Sequence, residues 1–256
     1  MAEHRTDGQV QAEADFGYRR VPEAERDGLV REVFDSVAGR YDLMNDLMSG
    51  GVHRLWKAAL IDTLAPRPGM HLLDVAGGTG DIAFRFLDRV KGEGGVSVCD
   101  INQAMLSVGR DRALDRGIVE GIEWLCGDAE ALPLADCSVD AYTIAFGLRN
   151  VTRIDKALRE ARRVLKPGGR FLCMEFSRIV LPILDRLYER YSFSVVPAIG
   201  AAVTGDRAAY QYLVESIALF PGQEELAERV AAAGFDLVKF RNLSGGIAAV
   251  HSGWRV

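Results

Sequence analysis

The sequence predicts a doubly wound α/β fold, and three observations carry that prediction. A glycine loop, Gly77-Gly78-Thr79-Gly80, stands between a short apolar run and an amphipathic one. Apolar runs of strand length then alternate with helical periods over residues 70–177. Polar or glycine-rich signals recur where the runs end, at Asp74, Asp100, Asp128 and Phe146-Gly-Leu-Arg-Asn150. Alternation with short links implies a parallel sheet with right-handed crossovers, which binds ligands at the carboxyl ends of its strands.

Residues 1–27 are polar and poor in large aliphatics, so a mobile tail is expected there. Residues 28–256 read as a single domain. Its first part, 28–69, carries helical spacing from Leu29 to Met48 and again from Val52 to Leu64, stopped by Ser49-Gly50-Gly51 and by Pro66-Arg-Pro68-Gly69. These helices are expected to form a lid over the mouth of the site.

The core, 70–177, follows in rhythm. Strands are expected at Met70–Val75, Val96–Asp100, Ile122–Cys126, Ala141–Phe146 and Arg170–Phe176. Helices are expected at Gly80–Val90, Gln103–Arg116 and Ile154–Leu165, the last stopped by Lys166-Pro167-Gly168-Gly169. From Ile179 to Pro221 there is no clear strand and many aromatics, so 178–222 reads as a helical insert walling an apolar substrate pocket. The remainder, 223–256, reads as a helix closed by Gly234 and a hairpin, Phe235–Leu243 and Ile247–Trp254, about Ser244-Gly-Gly246.

The glycine loop lets a ligand approach the main chain. Asp100, at the tip of the second strand, is placed to accept both hydroxyls of a ribose, so a nucleoside cofactor is expected. Gly78-Thr79-Gly80-Asp81-Ile82-Ala83 fits the dinucleotide pattern, with an acid about 20 residues on. The loop alone leaves a nicotinamide dinucleotide and S-adenosylmethionine both open. Asp74 tilts the balance, because a carboxylate before the glycines repels a pyrophosphate and welcomes an amino-acid ammonium.

Composition excludes several classes. A net charge of −5 argues against a general nucleic-acid binder. The cysteines Cys99, Cys126, Cys137 and Cys173 make no C-x-x-C pair and read as reduced core residues. No metal-ligand pattern is present. The first fifteen residues resemble neither a secretory signal nor a transit peptide, and the longest apolar run, Val195–Val203, is too short to cross a bilayer. A cytoplasmic location is expected.

Two longer stretches resemble the signature patterns of the ubiquinone/menaquinone biosynthesis C-methyltransferases. They are Tyr41-Asp-Leu-Met-Asn45-Asp-Leu-Met-Ser49-Gly-Gly-Val-His53-Arg-Leu-Trp56 and Arg163-Val-Leu-Lys-Pro-Gly-Gly-Arg-Phe-Leu-Cys-Met-Glu175-Phe-Ser177. Phe146–Asn150 and Tyr210–Pro221 match as well, and the closing hairpin is similar to that of class I S-adenosylmethionine methyltransferases, whose last strand is antiparallel.

The resemblance implies a seven-stranded Rossmann-like sheet and methylation of a ring carbon on a prenylated benzoquinol or naphthoquinol. It implies cofactor contacts at Thr79, Asp100, Asp128-Ala129 and Ala145; Asp74, Gly78, Gly80 and Ile101 are the further cofactor-binding candidates. Members often carry Ser where this chain has Ala145. Arg149 is the expected stabiliser of a substrate phenolate, with Asn150 orienting the same oxygen and Tyr41 contributing from the lid. Four alternatives bear on these assignments: Arg149 closes a rim salt bridge, Tyr41 is a packed lid aromatic, His53 is a packing or capping residue rather than a base, and Asp74 and Asp81 only cap the loop and its helix. Glu175 receives no task.

The implied substrate also predicts brief contact of Tyr188–Val203 with a membrane, so that the protein sits peripherally at the inner membrane, and association as a homodimer or with other quinone-pathway enzymes. A nicotinamide oxidoreductase and a non-catalytic assembly protein of the same fold are the competing classes.

Overall fold

The computed structural model describes residues 12–37, 46, 49–180 and 207–256. Its centre is a sheet built by the predicted alternation. Strands β3 (His71–Val75), β4 (Gly95–Asp100), β5 (Ile122–Cys126), β6 (Val139–Ala145) and β7 (Leu165–Phe176) run parallel to one another. β8 (Asp236–Leu243) and β9 (Ala248–Trp254) complete the sheet in the order β5-β4-β3-β6-β7-β9-β8. β9 is antiparallel to both its neighbours, as the hairpin pattern predicts.

The chain leaves β3 toward β4 on one side and returns to β6 on the other. The carboxyl end of β3 is therefore the switch point, where a crevice opens. Helices cover both faces. On one, α2 (His53–Leu64), α3 (Asp81–Val90) and α6 (Arg207–Leu219) bury Trp56, Leu60, Phe86, Tyr210 and Leu213 against Leu72, Leu172 and Met174. On the other, α5 (Ile154–Val164) and α7 (Gln223–Ala232) bury Leu158, Val164, Leu226 and Val230 against Leu73, Tyr142, Ile144 and Phe171. The period of two in Leu72-Leu73-Asp74-Val75 decides which residue serves which face. α4 (Gln103–Asp115) follows β4, its first turn closed by Asn102, whose side-chain oxygen accepts from the Met105 amide.

The structure corrects two expectations. Residues 13–22, expected to be mobile, form an antiparallel hairpin of β1 (Glu13–Phe16) and β2 (Arg19–Pro22), and α1 (Glu23–Val37) follows directly. What holds this segment is remote in sequence: Phe16 stacks on Tyr212 with centroids 4.4 Å apart, and Arg26 of α1 is buried. Composition cannot reveal such partners.

Lys166-Pro167-Gly168-Gly169 does not separate helix from strand. α5 ends at Val164, β7 begins at once, and the four residues form an excursion inside it: the register jumps from Val139↔Leu165 to Ala141↔Arg170. The end of α5 is capped by Arg255, whose guanidinium donates to the carbonyls of Arg162, Arg163 and Leu165. Tyr41, most of the second half of the expected 29–48 helix, and residues 181–206 of the expected insert lie outside the described residues.

Candidate functional site

A cleft of about 1060 Å³, open to solvent, lies at the carboxyl ends of β3 to β6. Its floor is the glycine loop, its far wall Asp128, Ala129 and Glu130, and its cover the face of α1 that carries Asp27, Val30, Arg31 and Phe34.

Close backbone approach shapes the floor. A Cβ on Gly77 would stand 2.8 Å from Asp74 Oδ2 and 2.7 Å from Val98 Cγ1. Gly78 and Gly80 adopt left-handed backbone at φ 51° and 80°. Ala76 and Phe146, each following the carboxyl end of a strand, also have positive φ, at 49° and 57°. Non-glycine residues in that region store strain, which concentrates at ligand sites. Between them Gly147 packs so tightly that a Cβ would lie 2.3 Å from that of Ala76.

Three of the carboxylates that line the cleft, Asp74, Asp100 and Asp128, follow the ends of successive strands and stand in different surroundings. Asp74 is 1% exposed; Oδ1 accepts from the Thr143 hydroxyl at 2.7 Å, and Oδ2 has no hydrogen-bond partner among the described residues. Burial pushes this carboxyl up to about 7, against the opposing pull of the Thr143 bond. Asp100 accepts the amides of Gly78 at 2.9 Å and Asn102 at 2.8 Å, tying two loops together. Burial pushes it up to about 6 despite those bonds. Asp128 accepts the Glu130 amide at 2.8 Å and shapes the loop after β5.

A buried acid with one unpaired oxygen beside a glycine cradle suits an ammonium, and an acid at the tip of the next strand suits vicinal hydroxyls. The donor set therefore fits a nucleoside bearing an amino-acid end. Ile101 and Ala145 line the same cleft. The Thr79 hydroxyl accepts from Arg112 at 2.7 Å.

Arg149 stands differently from its expected place. It lies in the short 3-10 turn after β6, but its side chain is 2% exposed and does not line the cleft. Its guanidinium pairs with Glu175 Oε2 at 3.0 Å and donates to the Phe146 carbonyl, and its own amide donates to Glu175 Oε1. The rim salt bridge is thus the observed arrangement, because Glu175 on β7 offers a buried counter-ion that the sequence did not connect to it.

Asn150 does line the cleft; its Oδ1 accepts from the Tyr212 hydroxyl at 3.0 Å. His53 is 3% exposed and hydrogen-bonded to Ser49 at 3.0 Å; burial, followed by the charge of Lys57, holds its pKa below the usual value. It packs rather than facing the cleft. Asp81 pairs with Lys57 at 2.8 Å and Arg85 at 3.2 Å. Burial raises the Asp81 carboxyl, but these two cations together override that and hold it below its usual value.

Sequence reasoning missed three residues. Arg26 donates to the carbonyls of Asp15, Asn150 and Arg149 and to the Thr152 hydroxyl, fastening α1 to the rim. Asn102 bonds the Asp35 carboxylate on α1 at 2.8 Å. Lys57 lines the cleft at 5% exposure. Lys57 and Asn102 left a legible signal, one as a lysine on the Lys57-Ile61-Leu64 stripe and the other as an N-cap asparagine.

Comparison with known proteins agrees with this geometry. The profile of the ubiE/COQ5 methyltransferase family matches residues 21–255. The ubiquinone/menaquinone biosynthesis C-methyltransferase UbiE of Paracoccus denitrificans is 60% identical over 244 residues, spanning 95% of this chain and 97% of that protein. The protein of the same name from Brucella anthropi is 54% identical over 254 residues, spanning 98% and 97%. Among solved structures, the [4+2]-cyclase SpnF is similar in fold, with a TM-score of 0.66 at 19% identity over 90% of this chain and 96% of that one. A Thermotoga maritima S-adenosylmethionine-dependent methyltransferase, described as a possible histamine N-methyltransferase, gives 0.63 at 22% identity over 89% and 100%.

Proposed function

The chain belongs to the ubiE/COQ5 methyltransferase family, and from that premise we propose that it methylates a ring carbon of a prenylated benzoquinol or naphthoquinol in respiratory quinone biosynthesis. S-adenosylmethionine is its cofactor, which removes the nicotinamide alternative, and the activity removes the assembly-protein one. The observation that carries the site assignment is Asp74, buried with one oxygen unpaired, next to Asp100 across the glycine loop.

When bound, the cofactor supplies an electrophilic methyl group on a sulfonium, so the chain itself needs to bind, align and exclude water. Asp74 receives the ammonium end at the floor formed by Gly78, Thr79 and Gly80. Asp100 and Ile101 receive the ribose, and Asp128 with Ala129 borders the adenine. Ala145 closes the methyl end with backbone alone.

Asn150 is the cleft-lining polar group that this reading assigns to the substrate oxygen. Its side chain is held by Tyr212 and its carbonyl by Arg26 at 2.7 Å, so its amide is pre-set toward the cleft. Arg149 serves the reaction through its pair with Glu175, which fixes the 146–150 segment. Tyr41 acts from the lid in this reading, and the insert takes the apolar tail; Tyr41 and the Tyr188–Val203 stretch proposed to touch a membrane lie outside the described residues. No helix among the described residues is long and apolar enough to cross a membrane.

The test is an assay with a labelled methyl donor and both quinol classes. Incorporation of label into a ring carbon of either quinol supports the reading; a protein that binds the donor and labels neither sinks it. Association as a homodimer or with other quinone-pathway enzymes belongs to the same reading and is tested by sedimentation with and without quinol.

A further inference from the structure

The cleft contains a cation that the proposed function leaves without a task. Lys57 comes from α2, outside the glycine-loop unit, yet it lines the floor of the cleft and is 5% exposed. Removing an ammonium from water is costly unless it gains partners. An ammonium carries three N–H donors, and the partner Lys57 has among the described residues is Asp81 Oδ2 at 2.8 Å. Asp81 is shared, since Oδ1 also pairs with Arg85 at 3.2 Å. One carboxylate therefore serves two cations, and Lys57 holds its partner jointly with Arg85.

On the same floor, Asp74 Oδ2 is a buried acceptor with no partner among the described residues. The acid and the cation are close enough that the Lys57 charge favours the ionised form of Asp74. Asp74 borders the glycine loop, and Lys57 is tied to it through Asp81, the first residue of the helix that follows the loop.

We propose that Lys57 binds the carboxylate of the cofactor's amino-acid end while Asp74 binds its ammonium, so that a zwitterion is clamped between side chains of α2 and β3. The inference rests on the cofactor reading above and assigns the ligand selectivity of its floor. Only ligands with an intact amino-acid end satisfy both groups; a nucleoside without one leaves Asp74 unpaired and Lys57 with Asp81 alone. A lysine that merely anchored α3 through Asp81 would make no such distinction.

Calorimetry on the full chain separates the possibilities, using S-adenosylhomocysteine, its decarboxylated analogue and 5′-methylthioadenosine, which lacks the amino-acid end. A lost charge-assisted contact is expected to weaken S-adenosylhomocysteine about 10- to 100-fold in Lys57→Met, with methylthioadenosine held within about threefold and Lys57→Arg largely restored. Loss of both ligands by the same factor, or of neither, overturns the proposal. The wild-type chain gives a second reading that needs no variant to fold: the decarboxylated analogue must bind more weakly than S-adenosylhomocysteine by a similar factor, and equal affinity overturns the clamp. If the wild-type chain binds none of the three ligands, the cofactor reading itself has failed, a result distinct from the loss of selectivity alone.

Discussion

Two regions at the same rim of the sheet treat buried charge in opposite ways. Around β3 and β4, Asp74 is a buried acid and Asp100 a half-buried one, their carboxyls pushed up to about 7 and about 6, and Asp74 keeps an oxygen unpaired. Around β6 and β7, Arg149 and Glu175 are both buried, but each is the other's partner at 3.0 Å. A buried acid without a paired cation marks where a ligand completes the structure. The ion pair marks where the protein supplies its own counter-ion, even though Arg149 Nε has no hydrogen-bond partner among the described residues, and what it gains is a fixed backbone at residues 146–150.

The largest effect tests the second region. Glu175→Ala strands the Arg149 charge in the interior and is expected to cost about 3–5 kcal/mol, whereas the double change Arg149→Met with Glu175→Leu recovers most of it. Denaturant melts of the three proteins measure this. If Arg149→Ala keeps full stability and only turnover falls, the pair is not structural and the contrast collapses.

Asp100→Ala tests the first region, with an expected loss of cofactor affinity of about 1.5–3 kcal/mol from hydrogen bonds to a charged acceptor. An unchanged dissociation constant in the folded variant removes Asp100 from the ribose.

The pH dependence sharpens the contrast further. A carboxyl raised in the fold binds its proton where the unfolded chain has already lost it, so Asp74 reduces stability as pH climbs from its ordinary range near 3.8 toward about 7. A bound ammonium reverses that balance by favouring the carboxylate. Affinity for S-adenosylhomocysteine should therefore rise with pH, by at most about tenfold per unit, and flatten above neutrality. Asp100 adds its own slope below about 6. Calorimetry from acid to neutral pH checks this, and Asp74→Asn should remove the segment that ends near 7.

The smallest effect is at the seam between the regions. The Thr152 hydroxyl donates to Asp27 on α1 at 2.7 Å, and Thr152→Val is expected to cost about 0.5–1.5 kcal/mol in melts. A larger loss would mean that α1 depends on this bond more than on Arg26.

How much of this was legible in the sequence follows the range of the forces involved. The strand-loop-helix units were readable because periodicity and glycine placement are local, and β5 falls at Ile122–Cys126 as expected. Asp74, Asp100 and Asp128 were readable because each sits at or beside the carboxyl end of a strand. The Arg149–Glu175 pair was not, because 26 residues and a change of strand separate the partners. Nor was the β1–β2 hairpin, whose Phe16 meets its stacking partner Tyr212 only in the folded chain. The Lys166–Gly169 excursion was misread because proline and glycine end helices and interrupt strands with the same residues.

The placement of β9 has a consequence for how the chain is made. It lies between β7 and β8 although it follows both in sequence. During synthesis β8 leaves the ribosome with no strand to join, since its one pairing within the sheet is to β9. The edge of β7 stays open over the same interval, and an open edge is a template for the wrong partner. A chain that has emerged through residue 243 but not yet through residue 248 thus carries two unpaired edges at once, and the next few residues close both. That interval is where a translational pause would do most harm and where a holding chaperone would do most good.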